Sequence, residues 1–166
     1  LNIDLKGGLD LKNVNYWLSD FRSKFKGKID FDVISEINLT QKTINKINGS
    51  ILSDEVFLRD SILNLTANIK DAKIVLNNQE VTFLANQLLF EEDKCKLYFK
   101  LNNWMKLAFD DSKEIVGDFN FDFETFKLDN WLYYFTNNQD SSNSNFNVLL
   151  NGNLSAGLFH YDSLIF

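Results

Sequence analysis

Lys28-Ile29-Asp30-Phe31-Asp32-Val33, continued in the same parity through Ile37 and Leu39, is the stretch that decides the fold class. Apolar Ile29, Phe31 and Val33 alternate with Lys28, Asp30 and Asp32, and Glu36 and Asn38 extend the polar set. A period of two puts one set on each face of a β-sheet, so this is a half-buried strand. The pattern recurs at Leu1-Ile3-Leu5, Leu63-Leu65-Ala67-Ile69, Val81-Phe83-Ala85, Cys95-Leu97-Phe99-Leu101, Phe119-Phe121-Phe123 and Leu154-Ala156-Leu158. Gly7-Gly8, Asn48-Gly49, Asn77-Asn78, Glu92-Asp93-Lys94 and Asn151-Gly152 supply residues that tolerate turn geometry, which predicts antiparallel hairpins between neighbouring strands. No connection leaves room for repeated crossover helices. The expected fold is all-β dominated: an antiparallel meander forming a twisted open sheet or groove, with two short amphipathic helices packed on it.

Those helices are where alternation fails. Trp17, Phe21 and Phe25 fall at i, i+4 and i+8, with Leu18 beside them, which predicts a helix from about Asn15 to Phe25. Trp131, Leu132 and Phe135 follow Asp129 and Asn130, either of which suits an N-cap, and predict a second helix from Asp129 to Phe135. Asn103 to Phe109 is a third, shorter candidate. Trp17, Phe21, Trp131 and Phe135 would anchor the two main helices on the sheet; a lipid-headgroup or sugar contact is the other use of such tryptophans. Aligning Trp17 with Trp131, an offset of 114 (131 − 17), superposes Leu9 on Phe123, Val14 on Leu128 and Phe21 on Phe135. The chain therefore reads as a weak internal repeat, residues 1–122 and a truncated copy at 123–166, cut from a larger repetitive protein.

Composition narrows the function. The net charge is −6 and the basic residues are scattered, which argues against a phosphate-binding surface and so against nucleic acid. Sixteen Phe, five Tyr and three Trp in 166 residues supply far more apolar area than half-polar strands usually carry, so something large and apolar is being covered. The absence of proline removes one common guard on strand edges, so the edges are expected to continue into more protein. Cys95 is the one cysteine and falls on the apolar parity, as a buried thiol would; His160 is the one histidine. No Ser-His-Asp, Cys-His or metal-binding set can be assembled from them, and the acidic Glu91, Glu92, Asp93, Asp110 and Asp111 fall in turn segments. The expectation is a non-enzyme without cofactor or metal. The Ser/Asn-rich run from Asn137 to Asn145 reads as a surface loop, and the sequons at Asn38, Asn48, Asn64 and Asn153 read as chance in an Asn-rich chain.

Lys127-Leu128-Asp129-Asn130-Trp131-Leu132, the G-x-hydrophobic-x-hydrophobic strands and the tail Asn151-Gly152-Asn153-Leu154-Ser155-Ala156-Gly157-Leu158 resemble AsmA-like proteins, especially the YhdP branch. The resemblance implies a long β-trough, anchored in the inner membrane of a Gram-negative bacterium and reaching across the periplasm, along which phospholipid acyl chains slide. Its partners would be those acyl chains and adjoining segments of the parent chain, with membrane contact made by parts outside this stretch. Parity nominates Ile29, Phe31, Leu65, Ala67, Phe83, Phe99, Phe119, Phe121 and Leu154 as the lipid-facing floor. Three other readings stand beside it: a structural or adhesive β-sandwich domain of a surface protein with a closed core, a small polysaccharide-active enzyme, and, on alternation alone, an outer-membrane barrel.

Overall fold

The computed structural model describes residues 1–17, 23–41, 43–60, 65–90, 93–109, 114–129, 132, 147–162 and 164–165. Nine strands lie side by side in chain order in one sheet: β1 (Asn2–Asp10), β2 (Ser23–Asn38), β3 (Thr43–Asp60), β4 (Leu65–Asn77), β5 (Glu80–Phe90), β6 (Asp93–Asn102), β7 (Glu114–Lys127), β8 (Asn147–Tyr161) and the two-residue β9 (Leu164–Ile165). The sheet is open and does not close into a barrel. Helix α1 (Leu11–Trp17) follows β1, and α2 (Trp104–Phe109) follows β6.

The period-two reading of the strands is correct, and the sheet is a meander, but one junction departs from it. β7 and β8 run parallel, with Glu114 opposite Asn147 and Lys127 opposite His160. A parallel pair needs a long crossover, and the chain spends residues 128–146 on it. The two similar strings thus enter the sheet differently, since β1 pairs antiparallel with β2 across α1.

The first helix is shorter and earlier than its spacing predicts. Asp10 Oδ1 accepts the Lys12 amide at 2.9 Å, so Asp10 caps a helix that starts at Leu11. Phe25 belongs to β2, because Lys24-Phe25-Lys26-Gly27-Lys28-Ile29 alternates and strand pairing overrides the i+4 coincidence. Asn15 holds the two elements together: its side-chain amide donates to Phe25 O at 2.8 Å and accepts the Phe25 N–H at 3.0 Å. Near the second site, Leu128, Asp129 and Leu132 are helical. Asp129 lies inside that helical turn instead of capping it, and its Oδ2 accepts the Asp162 amide at 2.7 Å. Trp131 and Phe135 lie outside the described residues, as do Phe21, Leu63 and the Asn137–Asn145 run. The helix expected after Asn103 is present as α2, anchored by Trp104 Nε1, which donates to Asn77 O at 2.6 Å.

Of the glycine pairs read as turns, none is one: Gly7-Gly8 lies within β1, Asn48-Gly49 within β3 and Asn151-Gly152 within β8. Close packing explains the most telling of them. A Cβ at Gly152 would strike Phe119 O and come 2.7 Å from the Phe119 ring, and one at Gly7 would touch the Phe31 ring at 3.4 Å. Asn77-Asn78 is a true turn, closed by Asn77 Oδ1 accepting the amides of Gln79 and Glu80.

Candidate functional site

Residues paired across a ladder share a face, so the registers can be followed from strand to strand. One row runs Gly7, Phe31, Ile51, Ile74, Phe83, Phe99, Phe119, Gly152. The row on one side runs Leu5, Val33, Gly49, Leu76, Val81, Leu101, Gly117, Leu150. On the other side, Ala72, Ala85, Leu97, Phe121 and Leu154 are in register, with Leu9 opposite Ile29 at the far edge. Ile29, Phe31, Phe83, Phe99, Phe119, Phe121 and Leu154 therefore share one face, and Ala67, buried, stands further along it opposite Leu58 and Phe90. Leu65 is in β4 opposite Asp60.

The alternation slips in the middle of this face. Between Gly27/Val56 and Asp30/Leu52 strand β3 carries one residue more than β2, and between Ala85 and Leu88 strand β5 carries one more than β6. β4 stays in even register with both, so it holds the same extra residue, and there Asp71 takes a left-handed φ of 50°. Three aligned bulges result, at Asp54-Glu55, Lys70-Asp71 and Asn86-Gln87. They return Val56, Ile69 and Leu88 to the apolar side and crease the sheet.

Against the crease lies a pocket of about 270 Å³, floored by Ile29, Ile51, Val56, Ile69, Ile74 and Phe83 and walled by Leu11 of α1 and Phe25. Beyond it, rings run along β7: Phe119 to Phe121 at 5.5 Å, Phe121 to Phe123 at 6.0 Å, Phe123 to Phe126 at 4.7 Å, and Phe126 to Phe159 at 5.7 Å between centroids. Cys95, Phe123 and Phe126 form the buried centre of this cluster.

No second layer covers the face among the described residues, where each strand packs chiefly on its neighbours, α1 lies against β1 and β2, and α2 lies against β7 with Trp104 reaching Asn77 of β4. Phe31, Phe83, Phe99, Phe119 and Phe121 are consequently only half-buried, and Leu154 is 49% exposed. The accessible surface, 11721 Å² for 19.3 kDa, exceeds the roughly 8,500 Å² of a compact protein of that mass. The opposite face is mainly polar, although Ile34, Leu52 and Leu84 are exposed on it, and it is laced by pairs such as Lys6 with Asp32 at 2.7 Å and Lys100 with Glu80 at 3.5 Å and Asp118 at 3.7 Å. Such pairs fix register more than they stabilise. Hydrogen bonding to Asp32, and its charge, raise the Lys6 pKa.

Cys95 is 3% exposed, and its thiol is pushed up to about 11 by burial and by the charges of Asp93 and Asp122. His160 is half-buried on β8 opposite Lys127, while Cys95 stands opposite Phe123, four residues away along β7 or about 13 Å. Glu91, Glu92, Asp110 and Asp111 lie outside the described residues. Among the described residues no group of His, Cys, Asp and Glu could hold a metal ion, and no helix is long and apolar enough to cross a membrane.

Sequence reasoning missed Leu11, Ile51, Val56 and Ile74, while Ile69 was placed on the apolar parity with Ala67 without being singled out. The doubled polar residues Asp54-Glu55 and Lys70-Asp71 are the signal that could have found Val56 and Ile74, since each marks a slip of parity. Comparison of the chain with protein-family models, with curated proteins and with solved structures gives no match.

Proposed function

We propose that this chain is a lipid-shielding segment of a larger envelope protein, holding phospholipid acyl chains against the apolar face of its sheet. The observation that carries the reading is a continuous floor of Phe, Leu and Ile that no other layer of the protein covers among the described residues. A sheet face of this kind must be covered by something apolar. Each CH₂ moved from water onto it contributes about 0.8 kcal/mol, so acyl chains need no specific polar contact to be held. The floor lacks cationic groups, which suits tails and not headgroups. The resemblance to AsmA-like proteins of the YhdP branch supplies the proposed setting, a periplasmic path between inner and outer membranes, and the proposed absence of catalysis.

A photo-crosslinking amino acid at position 121, on the apolar face, should capture phospholipid in cells, and one at 120, exposed on the polar face, should not. Equal labelling at both positions, or none at 121, would overturn the reading.

A further inference from the structure

The crease does more than restore parity. Ser53, Ala72 and Ala85 stand opposite one another on β3, β4 and β5, so a row of short side chains crosses the floor there. It is flanked on one side by Ile51, Ile74 and Phe83, and on the other by Val56, Ile69 and Leu88. The bulges put two residues instead of one between the short row and the second of these flanks, which widens the gap along each strand. The pocket of about 270 Å³ is the depression that results.

One end of that depression is closed by Leu11 and Phe25. The wall is fixed, because Asp10 caps α1 and the Asn15 side chain bonds both the N–H and the carbonyl of Phe25. A fixed wall gives the pocket a definite length. Among the described residues no charged side chain lines it, and its one hydroxyl, on Ser53, is spent donating to Lys28 O at 2.6 Å. A polar group entering would lose its water and gain no hydrogen bond in return, so the lining suits the bare end of a hydrocarbon chain. An apolar cavity of about 150 Å³ takes the six carbons of a benzene, or roughly 25 Å³ per carbon. By that measure the pocket holds about ten carbons of a single chain, and two chains side by side would overfill it. We infer that the crease is a one-chain site, taking about ten terminal carbons of an alkyl chain with its tip against Leu11 and Phe25. The site sets a chain length where the rest of the floor sets none. It deepens the reading of this face as an acyl-chain surface and rests on it.

A homologous series from hexan-1-ol to tetradecan-1-ol, each below its solubility limit, is titrated into the purified chain by calorimetry. One molecule should bind per protein, with affinity rising about fourfold per added carbon up to about ten carbons and level beyond. Leu11→Ala cuts back the wall and should move the break up by about three carbons. Ala72→Leu fills the floor and should move it down by about three. Shifts in opposite directions exclude general damage to the fold, and either variant suffices if the other loses its strand signal in circular dichroism. An unbroken rise to tetradecanol with several molecules bound, or a break that neither variant moves, would overturn the site and leave the acyl-chain reading of the face standing. Failure of every alcohol to bind would also overturn the site, and phospholipid capture at position 121 then decides the wider reading separately.

Discussion

Gly152 lies beneath the ring of Phe119, and Gly7 beneath that of Phe31, so the aromatic row ends at each side of the sheet on a residue with no side chain to block it. Gly152→Ala should cost about 1–3 kcal/mol, because the added carbon meets backbone as well as ring and neither can withdraw. Gly8→Ala meets the free end of Asp30 at 2.9 Å and the Ile29 carbonyl at an ordinary contact of 3.7 Å, and should stay within about 0.5 kcal/mol; urea denaturation of the two variants compares them directly. These glycines were read as turns because their sequence context, Asn-Gly and Gly-Gly, is that of a hairpin loop, and the packing that explains them is made by residues far away in sequence. Cys95 was legible, since its parity with Leu97 and Phe99 already implied burial. Its folded-state pKa near 11 lies above the ordinary value of 9.0, so the unfolded chain loses the proton first as pH rises. Stability should be constant below about pH 9 on this account and fall between 9 and 11, and Cys95→Ala should remove that fall. A thiol reagent at pH 8 should label the native protein far more slowly than the unfolded one.

The strands themselves were readable because each presents one apolar and one polar face, and the meander followed from their short separations. What parity could not supply was the interruption of that alternation. A strict period of two carried from Ala67 and Ile69 predicts Asp71 and Lys73 on the floor, whereas the bulge delivers Ala72 and Ile74. Asp71 sits at φ 50°, which disfavours a β-branched side chain and suits glycine. Asp71→Val should therefore destabilise by about 1–2 kcal/mol while Asp71→Gly is near neutral, as read from thermal unfolding. Loss of apolar ligand from Asp71→Val with little loss from Asp71→Gly would tie the crease to the pocket beside it. The i+4 run ending at Phe25 misled for the opposite reason. Aromatic residues at helical spacing can also belong to different elements, as Trp17 of α1 and Phe25 of β2 do, and the Asn15 to Phe25 hydrogen bonds reveal the join.

At the scale of the whole molecule, one side of the sheet carries most of the charge and the other most of the aromatic rings, and substitutions should divide along that line. Phe121→Asp and Phe99→Lys place an unpaired charge where an acyl chain would lie, and should abolish lipid capture with the sheet intact. Asn120→Asp, on the polar side, should change little. Lys100→Gln is a cleaner partner for that comparison than Lys100→Glu, which would gather three carboxylates with Glu80 and Asp118. The single parallel junction has a mechanical consequence. Tension drawn on the amino end opens β1 from β2 one bond at a time, since Asn2 and Glu36 lie at the free end of an antiparallel ladder. Tension drawn on the carboxyl end first peels the two residues of β9 and then loads the bonds from Glu114–Asn147 to Lys127–His160 all at once, in shear. Pulled from both ends, the sheet should unravel from β1 inward at low force while β7 and β8 hold as a clamp.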